Sequence, residues 1–274
     1  MKQLLIRTAT GAAFVAVMVF CTVFHPWTLL ALILLLALLA VWEFARICEA
    51  NNKHTVNRVL LTCSAIALPV ALFVSCRLPE ANLLLAFVPY VFVLLLFFIV
   101  ELYARHEDPI ANLGIVALSQ VYIVLPLSML SLLAFAPLQA VGRAFWVLPL
   151  ALYIFLWVND SGAYLIGSWL GRHKLFPRIS PGKTWEGSIG GAIVSIGAAA
   201  ALAHFFPFMS LWRWMGMALV VVLFGTWGDL TESLIKRTLG LKDSGTLLPG
   251  HGGILDRIDS MLFAIPATII YLCL

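Results

Sequence analysis

The sequence predicts an all-α, polytopic membrane protein of about nine transmembrane helices with a cytoplasmic N-terminus, and three observations carry that prediction. Hydrophobic residues make up 62% of the 274-residue chain, charged residues only 11%, and the mean hydropathy is +1.03. A soluble domain carries about 25% charged residues, so this chain has too little polar material to cover a globular surface. Uncharged runs recur, such as Thr28 to Trp42, and with their flanks they approach the roughly 20 residues needed to cross a hydrocarbon core. Finally, the basic residues are distributed very unevenly among the segments between these runs.

In order, the apolar runs are centred on residues 10–24, 27–45, 59–76, 82–103, 111–135, 144–159, 187–206, 211–228 and 259–274. The first and last are short for a full crossing unless polar flanks are recruited, and the fifth contains Pro126, which is expected to kink or break it. Basic residues are retained on the cytoplasmic side of a membrane. With the N-terminus inside, 14 of the 17 Lys and Arg residues are cytoplasmic, against Arg77, Arg143 and Arg213 outside, and of 13 acidic residues only Glu80 lies outside. Lys2 and Arg7 ahead of an apolar run resemble a secretory leader, but a first span that starts translocation explains the same residues.

Several function classes are disfavoured. Cys21, Cys48, Cys63, Cys76 and Cys273 form no CxxC pair and read as buried structural thiols. No histidine sits at metal-ligand spacing from another histidine or a cysteine, which argues against zinc. A formal net charge of +4 suits an anionic membrane face and is too small to suggest a nucleic-acid partner.

The chain reads as a single integral-membrane domain, with N-terminal helices over 1–143 and catalytic helices over 144–274, the latter holding polar cytoplasmic segments at 159–187 and 229–259. In the first segment Asn159 and Asp160 are expected where a helix leaves the membrane. Arg172, Lys174 and Arg178 suit anchoring to lipid headgroups. Lys183 lies in SPGKTWEG, where Pro181 and Gly182 predict a tight turn and Ser180 and Thr184 offer hydroxyls to an anion. The spacing is not that of a Walker A loop, and Gly187, Gly190 and Gly191 suit close helix packing.

From Asp229 to Asp259 the chain carries nine charged residues, a histidine and five glycines. If the eighth span continues as a helix past Asp229, then Ser233, Lys236 and Arg237 follow at i+4, i+7 and i+8 before an expected stop near Gly240. Lys242 and Asp243 open a loop containing Pro249-Gly250-His251-Gly252-Gly253, whose glycines permit close approach to a phosphate. Asp256 and Asp259 resume at i, i+3 spacing on one helix face. Charged groups at a membrane boundary are costly unless paired, hydrated or bound to a ligand. Carboxylates without cysteine or clustered histidine select a hard cation such as Mg2+, and the accompanying cations suit phosphates. That combination performs phosphoryl or nucleotidyl transfer by charge neutralisation and in-line positioning.

These residues resemble the signature of the phosphatidate cytidylyltransferases (CDP-diacylglycerol synthases). Ser233, Lys236, Arg237, Lys242, Asp243, Pro249, His251, Gly252, Gly253, Asp256, Arg257 and Asp259 match it without a departure, and DSGAY at Asp160 to Tyr164 and SPGKTWEG are similar to the family's other polar block. The resemblance implies a Mg2+-dependent membrane enzyme, a homodimer, that converts CTP and phosphatidic acid to CDP-diacylglycerol and pyrophosphate. On that reading Asp229 and Asp256 hold the metal, and a second ion is allowed. Lys236, Arg237, Lys242 and Arg257 neutralise the triphosphate and departing pyrophosphate. Lys183 with Ser180 holds a phosphate, Asp160 and Ser233 join the substrate site, His251 with Gly252 and Gly253 positions a phosphate, and Asp243 and Asp259 support or replace the metal ligands. The expected setting is the cell (inner) membrane, crossed several times, with the site facing the cytoplasm. Two alternatives from the residues alone are another membrane phospho-transferase and a cation or phosphate transporter. The CDP-alcohol phosphotransferase pattern is absent, and the charges fall at span ends rather than midway through broken helices.

Overall fold

The computed structural model describes residues 2–50, 54–77, 83–135, 144–247 and 252–274. Helices α1 (Lys2–Phe24), α2 (Pro26–Glu49), α3 (Arg58–Arg77) and α4 (Leu83–Ala104) are followed by a broken helical segment. That segment comprises α5 (Pro109–Ser119), a π-helical turn at Gln120–Val124, α6 (Leu125–Ser128) and α7 (Leu130–Phe135). Then come α8 (Val147–Leu170), the strands β1 (Lys174–Phe176) and β2 (Ser180–Thr184), α9 (Trp185–Phe205), α10 (Leu211–Thr238) and α11 (Leu255–Cys273). Among the described residues seven helical segments are long and apolar enough to cross a bilayer, as the all-α polytopic prediction requires, while the apolar part of α1 is shorter.

Local sequence explains where these helices start and stop. His25 caps α2: its Nδ1 accepts from the Trp27 amide, the Thr28 hydroxyl accepts from the His25 amide, and Pro26 follows in the first turn, where its missing N–H costs nothing. Thr184 caps α9 and Ser210 caps α10 through their hydroxyls. Pro126 has no amide to give and its ring crowds the carbonyl four residues back, at Tyr122, which lies in the π turn. The expected break in the fifth span is thus a π turn ending just before the proline. The α10 helix ends as anticipated at Gly240, whose φ of +72° lets the Leu241 amide reach the Lys236 carbonyl at 2.8 Å.

Two boundaries differ from the sequence expectation. The α8 helix runs eleven residues past the apolar run, to Leu170, so Asn159 and Asp160 lie within a helix and not at its exit. Hydropathy marked where apolar residues end, whereas the backbone hydrogen bonds continue through DSGAYLIGSWL. The expected turn at Pro181 and Gly182 is instead part of strand β2, and the chain reverses at Pro177–Ile179. A two-stranded hairpin has only edge strands, so Pro181 need not cost a ladder hydrogen bond. Glu186 in the first turn of α9 fastens the approach to the hairpin, accepting from the Arg172 and His173 amides at 3.2 Å.

The contacts divide the chain into two compact units, Met1–Phe135 with Asp243–Arg257, and Ala136–Lys242 with Ile258–Leu274. In the first, α2 buries the stripe Leu29, Ile33, Leu36, Ala40 and Phe44, and Phe73 packs tilted against Trp27 and edge-on against Phe135. In the second, the core centres on Tyr153, Phe155 and Trp214, all fully buried. The α8 and α9 helices meet through glycine: a Cβ on Gly191 would stand 2.6 Å from the Asn159 carbonyl, and one on Gly187 2.8 Å from the Ala163 carbonyl. The close packing expected of these glycines is therefore present.

Candidate active site

In the second unit, α10 carries Asp229 and α11 carries Asp259. Two glycines set their separation. A Cβ on Gly228 would lie 2.5 Å from the Asp259 carbonyl oxygen, and one on Gly225 would meet Leu156 and Ser260, so the two backbones come together where the carboxylates project. Asp259 is half-buried, accepts from the Ser260 amide at 2.6 Å, and lies within range of the charges of Asp229, Lys183 and Asp160. Ser233, one turn beyond Asp229, donates its hydroxyl to Asp229 Oδ1 at 3.3 Å, as the i+4 spacing anticipated.

Lys183 reaches the same place from β2. Its Nζ is 2.5 Å from Asp229 Oδ2, and both side chains are about 30% exposed. The next residue, Thr184, caps α9, so the hairpin that delivers the lysine is fixed to a helix start. From α8, exposed Asp160 accepts at Oδ1 from the Asn159 side-chain Nδ2 at 3.4 Å. Asn159 is 94% buried, and its Oδ1 has no hydrogen-bond partner among the described residues.

These groups border a cavity of about 470 Å³ lined by Asn159, Asp160, Lys183 and Asp229, with Ser168, Thr184, Ser188 and Thr226 supplying hydroxyls. Gly167, Gly182 and Gly187 also line it, leaving backbone accessible at its wall. The volume is that of an ordinary small-molecule site. Asp160 and Asp229 at the cavity wall, with Asp259 within range of both, share the field of one lysine, a local excess of negative charge that a cation would offset. The donors are all oxygens, which fits Mg2+. Among the described residues no three acidic, histidine or cysteine side chains are close enough to cage an ion.

Other residues singled out from sequence lie elsewhere. Ser180 is half-buried at the start of β2. Lys236 is buried and ion-paired with the buried Glu232 one turn earlier, and Arg237 is exposed, with its guanidinium donating to the Leu241 carbonyl at 3.1 Å. Neither lines the cavity. Lys242, Asp243 and Arg257 are exposed, and His251 lies outside the described residues.

Gly252, Gly253 and Asp256 belong to the first unit. There Asp256 Oδ2 accepts from the Ser244 amide at 3.0 Å and from the Gly253 amide at 2.8 Å. Gly252 has a φ of +81°, which favours glycine, and a Cβ on it would crowd the same carboxylate oxygen. Glu43 of α2 completes this arrangement and was not singled out from sequence. The available signal was an acidic residue inside an apolar run, which is costly without a partner.

The model of the "Cytidylyltransferase family" matches residues 5–274. The chain belongs to the cytidylyltransferase family. Relatives of this chain include proteins named phosphatidate cytidylyltransferase from Staphylococcus aureus (strain COL), 53% identical over 118 residues, and Staphylococcus haemolyticus, 49% identical over 118 residues. A third, from Staphylococcus saprophyticus, is 47% identical over 115 residues. The match to the S. aureus protein covers 42% of this chain and 45% of the relative, so the chain spans under half the length of the curated relatives it matches.

Proposed function

We propose that this chain transfers CMP from CTP to phosphatidic acid, giving CDP-diacylglycerol and pyrophosphate in phospholipid biosynthesis. The observation that carries the proposal is the Lys183–Asp229 pair at the wall of a hydroxyl-lined cavity, within a multi-pass chain of the cytidylyltransferase family. An oxygen of the lipid phosphate attacks the α-phosphorus of CTP, a new P–O bond forms, the bond between the α- and β-phosphates breaks, and pyrophosphate leaves with the electron pair. The attacking oxygen is already anionic at neutral pH, so no strong base is needed.

Lys183 turns from Asp229 to a phosphate oxygen and offsets the charge that accumulates as the bonds exchange. The Ser168, Ser188 and Thr226 hydroxyls orient bound phosphate or ribose oxygens. Asp229, with Asp259 and Asp160 nearby, would hold Mg2+, which would neutralise charge on the triphosphate and its leaving group. Asp256 stays a candidate ligand on its sequence pattern. Arg237, Lys242 and Arg257 are exposed and suit escort of the triphosphate and pyrophosphate, while Lys236 acts from within its Glu232 pair. His251 is proposed to position a phosphate.

The charge asymmetry supports a cytoplasmic-facing site in the inner membrane, where CTP arrives from the cytosol and the lipid stays in the bilayer. The proposed assembly is a homodimer. Purified protein in proteoliposomes is expected to release pyrophosphate only when CTP, phosphatidic acid and Mg2+ are all supplied. Counter-transport of phosphate or a cation without pyrophosphate release would replace the proposal with a transporter.

A further inference from the structure

Glu43 enters the first unit on α2, far in sequence from the signature loop. Its Oε1 accepts from the Ser244 hydroxyl at 3.0 Å and its Oε2 accepts from the Leu255 amide at 3.0 Å. A Cβ on Gly245 or on Gly253 would collide with this carboxylate, so both glycines leave room for it. Asp256 Oδ2 meanwhile holds the Ser244 and Gly253 amides. Ser244 is itself buried and receives both carboxylates, one at its amide and one at its hydroxyl. Two acids thus fasten the two ends of one loop to each other and to α2, and Asp256 and Arg257 follow directly in the first turn of α11.

We infer that Glu43 is a positioning residue: by bonding Ser244 and Leu255 it fixes the signature loop to the second helix and sets the orientation of Asp256 and Arg257. The glycines at 245 and 253 owe their identity to this carboxylate, and Gly252 owes its identity to its positive φ and the Asp256 oxygen. A glutamate in an otherwise apolar helix is costly unless it gains such charge-assisted bonds. Glutamine at 43 would keep the shape and one acceptor oxygen but put an amide NH2 where the second acceptor stood. Alanine would remove both bonds.

The consequence for turnover rests on the proposed transferase reading; the consequence for the loop does not. Amide hydrogen exchange on the full chain in detergent, without metal or nucleotide, tests the loop directly. Glu43→Ala should speed exchange in peptides covering 243–257 by at least about tenfold, with α8 to α10 unchanged, and Glu43→Gln should give a smaller increase. In the pyrophosphate-release assay, normalised to folded protein, kcat should fall at least about tenfold for Glu43→Ala and recover in part for Glu43→Gln. Unchanged loop exchange in Glu43→Ala overturns the clamp. Faster exchange with normal kcat overturns its service to the reaction, and a uniform rise across all helices reduces Glu43 to general stability. Should Glu43→Ala fail to fold, Glu43→Gln and Ser244→Ala carry the same comparison. A wild-type protein with no turnover defeats the transferase reading, while the exchange result still decides the clamp.

Discussion

At the cavity wall, Lys183 and Asp229 are each other's counter-ion, so removing either leaves a half-buried charge beside Asp259. Asp229→Asn should lower CTP-dependent pyrophosphate release by about 100-fold or more while leaving the helical circular dichroism intact. Lys183→Ala should raise KM for CTP and lower kcat in the same assay, and normal kinetics would return this lysine to lipid anchoring. Chelation with EDTA should stop release, and added Mg2+ should restore it. The cavity residues Asp160, Lys183 and Asp229 were legible because charge stands out in an apolar chain. Asp259 was legible as a companion of Asp256, but its place beside Asp229 depends on the Gly228 approach, which spacing alone does not show. Glu43 escaped because its partners are 201 and 212 residues away, a pairing no local pattern encodes.

Helices α8 and α9 depend on missing side chains. Gly191→Val would push a branched Cβ against the Asn159 carbonyl and should destabilise the second unit by about 1–3 kcal/mol, seen as a lower Tm in detergent. Gly197 lies on α9 with nothing within 4 Å of its would-be Cβ. Gly197→Ala should therefore hold or raise the Tm, gaining about 0.5–1 kcal/mol of helix propensity. Equal effects at the two positions would refute close packing as the reason for Gly191. Among the described residues the seven long apolar helical segments were legible from apolar runs, since each run must hydrogen-bond its own backbone in a bilayer. The far end of α8 and the β1–β2 hairpin were not, because the polar residues there obscure continued helix and strand geometry.

Across the whole molecule, the uneven distribution of basic residues predicts sidedness. Single cysteines placed at Lys174 and Lys242 in a cysteine-free background should react with an impermeant thiol reagent added from the cytoplasmic side. One at Arg213 should react from the opposite side, and labelling of Lys174 and Lys242 from opposite sides would break the proposed topology. The central claim is that the α-phosphoryl group of CTP passes to a lipid phosphate. Proteoliposomes of the purified chain given phosphatidic acid and Mg2+ with α-labelled or γ-labelled CTP test it most directly. The account predicts α-label in the organic phase as CDP-diacylglycerol, γ-label in water as an equal amount of pyrophosphate, and neither with Asp229→Asn. Label entering lipid from the γ-position, or none entering from either, would contradict it.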